Sequence, residues 1–176
     1  MCIIEWNMEK KKFFFDEKDI VQNGLLAALY CVLTYVMSPI SFWAIQFRLS
    51  EILVLACFFD KKKIVGLTLG CFLANLVSPL GLMDIGFGTL ATLLACLGII
   101  FCKHLIVAIW FPVVANGFIV GLELYLIGEP FWFSVGMVAL GELAVMMVGY
   151  IILMLLKRNK TFFKAVRASQ NVDFKF

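Results

Sequence analysis

The distribution of basic residues constrains the fold of this chain more than any other feature. Of the 15 Lys and Arg residues, all except Arg48 fall at residues 10–18, 61–63, 103 and 157–175. These basic segments alternate with three connections without Lys or Arg, at residues 38–44, 78–84 and 128–130. Because short cytoplasmic loops of membrane proteins are enriched in Lys and Arg, the alternation predicts an integral membrane protein with both termini in the cytoplasm. Arg48 is the exception, because the alternation places it on the outer side of the membrane, and this position indicates a special role for it.

The apolar segments between these clusters predict an all-α bundle of six transmembrane helices. The sequence is 63% hydrophobic with a mean hydropathy of +1.00, well above the usage of soluble domains. We expect the spans at residues 20–37, 47–59, 64–77, 85–102, 105–127 and 131–156. A helix needs about 20 residues to cross the hydrocarbon, so the second and third spans are short. We expect them to cross fully, with extensions into the outer loops, because a re-entrant hairpin would bury Lys61, Lys62 and Lys63.

The same pattern predicts three segments. Residues 1–18 form a cytoplasmic or interfacial N-terminal segment, residues 19–157 the membrane domain, and residues 158–176 a basic cytoplasmic tail. The net charge of +3 lies in the cytoplasmic segments, so it reports topology and gives no indication of nucleic-acid binding.

Polar side chains inside the predicted spans are the best indicators of function, because hydrocarbon offers them no partners. They lie at mid-depth or in the outer half of the predicted bundle. The candidate substrate-binding residues are Gln46, Arg48, Glu51, Asn75, Asp84, Asn116, Glu123 and Glu142. Asn116 and Glu123 are seven residues apart and so share a helix face. With Glu129 in the last outer connection, five carboxylates accompany one base, which predicts an acidic pocket open to the outside.

Several of these residues have a second interpretation. Arg48 and Glu51, three apart, either form an interfacial ion pair or line the pocket, and Asp84 in a loop is either a ligand residue or solvated. Small residues four apart occur at Gly24 and Ala28, and as glycine pairs at residues 66 and 70 and at 117 and 121. Such pairs let helix backbones approach closely, either within the chain or against a partner protein.

The sequence contains no sign of an enzyme, a cofactor site or a metal site. There is one His, and no HExxH, Walker or paired-cysteine motif is present, so most metal and acid–base schemes are excluded. The six Cys residues lie mostly in apolar segments, where we expect them to act as small packing residues. Without an ATP site, active transport would have to draw energy from a partner.

Several polar strings resemble a known family. Gln46-x-Arg48-x-Ser50-Glu51 and Asp84-x-x-x-Gly88-Thr89 resemble the S components of energy-coupling factor (ECF) transporters, and in particular the queuosine-precursor branch, the QueT family. Further similar stretches are residues 65–75 and 112–123, and the resemblance covers about residues 25–150.

The resemblance implies the substrate-binding subunit of an ABC-type importer in the bacterial plasma membrane. Such a subunit captures a micronutrient outside and docks on a transmembrane scaffold with two cytoplasmic ATPases. The family's first helix typically contacts the scaffold through small residues. The matching positions here are Gly24, Ala27, Ala28 and Cys31.

The resemblance also implies a queuosine precursor as ligand, a 7-deazaguanine such as the aminomethyl form or queuine. The guanine edge presents adjacent N–H donors that suit a carboxylate, and its acceptors suit Arg, Asn or Gln. Aromatic side chains are expected to stack on the ring, and the candidates are Phe42, Trp43, Phe87, Trp110 and Tyr125. Three alternatives stay open: an S component for another vitamin, an accessory membrane subunit without a ligand, and a stand-alone facilitator.

Overall fold

A computed structural model describes residues 15–37 and 48–156 of the 176-residue chain. Within these ranges the protein is helical and contains no β-strand. The elements are α1 (Glu17–Val36), a 3₁₀ helix (Leu49–Phe58), α2 (Lys63–Asn75), α3 (Leu82–Ile100), α4 (Leu105–Ala108), α5 (Trp110–Leu126) and α6 (Phe131–Leu156). Most of the predicted N-terminal segment, residues 38–47 with Gln46, and the predicted basic tail lie outside the described residues.

Four helical stretches are long and apolar enough to cross a membrane. They are Glu17–Val36, Leu82–Ile100, Leu105–Leu126 and Phe131–Leu156, with 19 to 26 residues each. The stretch Leu105–Leu126 joins α4 and α5 through Ile109, whose backbone keeps a helical conformation (φ −64°, ψ −22°). These four stretches match the predicted first, fourth, fifth and sixth spans, because length and hydropathy define them directly.

The second predicted span differs from expectation, since it is a ten-residue 3₁₀ helix where the sequence predicts an α-helix. It contacts α1, α2, α3, α4 and α6, and Val54, Leu55 and Cys57 within it are fully buried. A 3₁₀ helix rises about 2.0 Å per residue, so ten residues cover about 20 Å instead of about 15 Å in an α-helix. The tighter winding therefore lets this short segment reach as far as the 13 residues of α2.

Counting the 3₁₀ helix, successive long elements of the chain alternate in direction, so α1 and α2 run parallel. In the parallel pair α1 and α2, the Gly66 N–H donates to Asn23 Oδ1 at 2.8 Å near the start of each helix. In the antiparallel pair α2 and α3, Asn75 Nδ2 donates to the backbone oxygen of Asp84 at 2.8 Å. The turn before α2 lies beside the start of α1, where Lys62 forms an ion pair with Asp19. The arrangement separates Lys62 at one end of the bundle from the polar residues Asn75 and Asp84 at the other.

The glycine pairs of α2 and α5 lie at close helix contacts. A Cβ atom added at Gly66 would lie 2.5 Å from the backbone oxygen of Asn23, and one at Gly121 would lie 2.6 Å from Val135 Cγ2. Gly70 similarly packs against Ala27 of α1. Packing within the chain is therefore the correct interpretation for the glycine pairs of α2 and α5.

Candidate functional site

The candidate residues that the structure describes form a buried polar cluster. They come from the start of the 3₁₀ helix, the end of α2, the start of α3, the middle and last turn of α5, and the middle of α6. Each has at most 5% of its surface exposed: Arg48, Glu51, Asn75, Asp84, Asn116, Glu123 and Glu142. Burying so many polar groups is costly unless each has a partner, so the partners of each group identify its role.

Arg48 and Asp84 form the first part of the cluster. Arg48 Nη2 lies 2.7 Å and 2.8 Å from the two carboxylate oxygens of Asp84. Asn75 holds the backbone of Asp84 from α2. Gly88 provides the room, because a Cβ there would lie 2.7 Å from both Asn75 Nδ2 and Asp84 Oδ1. Asp84 is thus a buried ion-pair residue in the first turn of α3, and the interpretation as a solvated loop residue is wrong.

Glu51 forms the second part, held by two hydroxyl groups from different helices. The Tyr30 hydroxyl of α1 donates to Glu51 Oε1. The Thr92 hydroxyl of α3 lies 2.9 Å from the same oxygen and 3.2 Å from Cys71 Sγ. The other carboxylate oxygen, Oε2, is buried without a hydrogen-bond partner among the described residues.

Asn116, Glu123 and Glu142 form the third part, where few polar atoms are satisfied. Neither carboxylate oxygen of Glu123 has a hydrogen-bond partner within the described ranges, and the same holds for Glu142 Oε1 and Asn116 Nδ2. The Asn116 side chain lies beside both Glu51 and Glu142, but its Nδ2 makes no well-aligned hydrogen bond to either. Asn116 and Glu123 both lie on the buried face of α5, as their spacing predicts.

Electrostatic interactions connect the three parts. Glu142 interacts with Glu51 and with Arg48, and Glu123 interacts with Asp84 and with Arg48. Charges interact strongly in a bundle of low dielectric constant. The carboxylates therefore belong to one site in which Arg48 is a nearby positive charge.

Sequence reasoning missed the hydroxyl and thiol residues that support the cluster. Tyr30 and Thr92 hold Glu51, and Thr34 Oγ1 lies 2.8 Å from Ser50 Oγ. Asn75 Nδ2 lies 3.5 Å from Cys71 Sγ, one turn away. A spacing of four residues could have identified them, because it places residues 30 and 34, residues 71 and 75, and residues 84, 88 and 92 on common helix faces. These side chains are common inside apolar helices, so they did not stand out individually.

The aromatic candidates are not gathered at the cluster. Trp110 and Tyr125 are about half exposed, at 52% and 53%. Both lie on the exposed stripe of α5, opposite the face of Asn116 and Glu123, so the expectation that they stack on a ligand is wrong. Phe87 is half-buried next to Gly88. Phe42 and Trp43 lie outside the described residues.

The small residues of α1 divide between two faces. Ala27 is buried against α2, and Cys31 Sγ lies 3.2 Å from the Gly70 backbone oxygen. Gly24 and Ala28 are exposed, and a Cβ added at Gly24 would have no neighbour within 4 Å. Only the second pair faces outward, beside exposed apolar residues: Ile20, Val21, Leu25 and Val32.

The buried cluster differs from a metal centre and from the open surface depression of the bundle. Within the described ranges, no group of three or more His, Cys, Asp and Glu residues is placed to hold a metal ion. A shallow, open depression beside Glu17 and Gln22 lies at the other end of the bundle and contains no residue of the cluster. The buried carboxylate and amide atoms are therefore the chemically distinctive part of the described structure.

Comparisons with known proteins agree with this description. The family model described as "QueT transporter" matches residues 20–158. The chain is 34% identical over 165 residues to a Lactococcus lactis subsp. cremoris (strain MG1363) protein named "Queuosine precursor transporter QueT", covering 83% of this chain and 94% of that protein. No solved structure matches.

Proposed function

The chain belongs to the QueT transporter family, and from this premise we propose that it is the substrate-binding S component of an ECF-type importer for a 7-deazaguanine queuosine precursor. As a member of this family it is a multi-pass transporter of the bacterial plasma membrane and not an enzyme. The proposal adds a ligand, a binding site and partner subunits.

The balance of unsatisfied polar atoms carries the proposal. The acidic and amide side chains of the cluster contribute these buried acceptors without a partner in the described ranges: Glu51 Oε2, Asn75 Oδ1, Glu123 Oε1 and Oε2, and Glu142 Oε1. The corresponding donor is Asn116 Nδ2. A ligand that satisfies this set is rich in N–H donors and carries positive charge. A deazaguanine with its guanine edge and an aminomethyl cation has these properties, whereas an anionic vitamin does not.

The geometry favours a division of labour within the site. Glu123 and Glu142 hold the donor edge and the cationic arm, and Asn116 faces an acceptor or orients the acids. Arg48 and Asp84 form the supporting part, because Asp84 already accepts from Arg48. Asn75 holds the Asp84 backbone through Nδ2 and offers Oδ1 to the ligand. Gln46 is expected to complete the outer side of the site.

Mass spectrometry of the detergent-purified chain tests this function. We expect a deazaguanine to co-purify with the protein. Calorimetry of the ligand-free chain should then give tighter binding of 7-aminomethyl-7-deazaguanine than of folate or pantothenate. A different co-purifying vitamin would change the substrate, and a chain that binds no small molecule would indicate an accessory subunit.

The topology and partners belong to the same proposal. Six crossings with cytoplasmic termini place residues 1–18 and 158–176 inside and the membrane domain, residues 19–157, between them. The scaffold subunit would contact the outward face of α1 at Gly24 and Ala28, with Ala27 and Cys31 supporting it from the α2 side. Gly24→Leu is expected to reduce co-purification with the scaffold and ATPases. The matched control is Gly136→Leu on α6, where an added Cβ also meets no neighbour.

Transport is expected to require the ATPase partners. Liposomes that contain this chain alone, with ATP inside, should show no concentrative uptake of labelled ligand. Adding the scaffold and both ATPases should produce it. Concentrative uptake by the chain alone would exclude an S component and favour a different transport mechanism.

A further inference from the structure

The contacts of Glu51 show a carboxylate that is fixed through one oxygen only. Glu51 is fully buried, and the Tyr30 and Thr92 hydroxyls both approach Oε1. Oε2 has no hydrogen-bond partner in the described part of the chain. Two donors on one oxygen restrict the rotamer of the carboxylate and leave the second oxygen as its unsatisfied acceptor, with the Asn116 side chain close to the same carboxylate.

The two hydroxyls come from different helices, α1 and α3, which both pack against α2. Tyr30 is on α1 and Thr92 is on α3, while Glu51 is on the 3₁₀ helix between them. Tyr30 is itself fixed, with 1% of its surface exposed and its Cβ atom packed close to Gly70. Thr92 is fully buried beside Cys71. The donors therefore approach Glu51 from rigid surroundings.

We propose that Tyr30 and Thr92 are positioning residues that aim Glu51 Oε2 at the ligand. The proposal rests on the proposed function, because it takes the buried cluster to be the substrate site. Neither hydroxyl needs to touch the substrate. Each satisfies Oε1, so that Oε2 is the atom of Glu51 offered to a donor group of the ligand.

A double-mutant cycle separates this role from general support of the fold. Tyr30→Phe should weaken binding of 7-aminomethyl-7-deazaguanine on the order of tenfold, because a hydrogen bond to a charged group is lost. In a Glu51→Ala background the same change should have little further effect, since the carboxylate that Tyr30 positions is absent. Equal losses in both backgrounds would overturn the positioning role.

Matched controls keep the test independent of folding. Tyr35→Phe removes a hydroxyl from the same helix that bonds the Leu73 backbone oxygen, away from Glu51, and should leave affinity unchanged. Thr92→Val should weaken binding and Thr92→Ser should restore it, because serine keeps the donor.

The outcomes for the two proposals are distinguishable. A parent chain that binds no deazaguanine overturns the proposed function and, with it, this role of Tyr30 and Thr92. A parent that binds, with Tyr30→Phe and Thr92→Val variants that fold and bind equally well, overturns the positioning role alone.

Discussion

Arg48 forms its buried ion pair with Asp84, 36 positions further along the chain. The side chains of both residues are at most 5% exposed. Glu51, only three positions from Arg48, is instead held by hydroxyl groups from α1 and α3. The pair thereby joins the start of the 3₁₀ helix to the start of α3 and leaves Glu51 available to the site.

Removing one member of this pair should destabilise the protein strongly. Asp84→Asn leaves the Arg48 charge buried without its carboxylate, and breaking a buried pair costs about 3–5 kcal/mol. We expect a marked loss of thermal stability in detergent. The double variant Arg48→Gln/Asp84→Asn should lose less stability than the two single variants lose together. Strict additivity would show that the pair does not act as a unit.

Glu142→Gln should reduce ligand affinity while the protein stays folded. A charge-assisted hydrogen bond contributes about 1.5–3 kcal/mol, so we expect the dissociation constant to rise roughly tenfold to a hundredfold. Calorimetry on monodisperse protein measures it. Glu129→Gln is the matched control, because Glu129 is exposed in the connection before α6. If Glu142→Gln, Glu123→Gln and Asn116→Ala all bind like the parent, the site lies elsewhere.

The sequence predicted those features of the fold that depend on local composition. Hydropathy and length are sufficient to locate the four long helices, and polar residues in apolar segments were sufficient to nominate Glu123 and Glu142. The winding of Leu49–Phe58 was not predictable in this way, because it depends on contacts with five other helices. The ion-pair partner of Arg48 was not predictable either. Glu51 is near Arg48 in sequence, whereas Asp84 comes near it only when α3 packs beside the 3₁₀ helix.

The support around the site was hidden for a different reason. Tyr30 and Thr92 carry no charge, so their presence in a membrane span carries little information by itself. Their role appears only when both hydroxyls meet the same oxygen of Glu51. The orientation of the small residues in α1 likewise required the contact between Ala27 and Gly70.

Two glycine-to-alanine substitutions should have opposite consequences for stability. At Gly66 the new methyl group would meet the Asn23 backbone oxygen at 2.5 Å, and overpacking of this kind costs about 1–3 kcal/mol. At Gly24 no atom lies within 4 Å, so alanine should be neutral or stabilise the helix by up to about 1 kcal/mol. Thermal unfolding in one detergent compares the pair. A Gly66→Ala variant as stable as Gly24→Ala would contradict the close packing of α1 on α2.

The last prediction concerns the direction in which the bundle lies in the membrane. The Lys61–Lys63 turn and the connection before α6 should be on opposite sides, because α2 and α6 start at opposite ends of the alternating bundle and Lys-rich loops stay in the cytoplasm. Cysteines introduced at Lys61 and Glu129, which are both exposed, report the sides directly. In intact cells an impermeant thiol reagent should label Glu129→Cys, and Lys61→Cys only after the cells are opened. The unsubstituted chain supplies the background, since its described native cysteines are buried or partly buried. Labelling of Lys61→Cys from outside would reverse the orientation and place the acidic site on the cytoplasmic side.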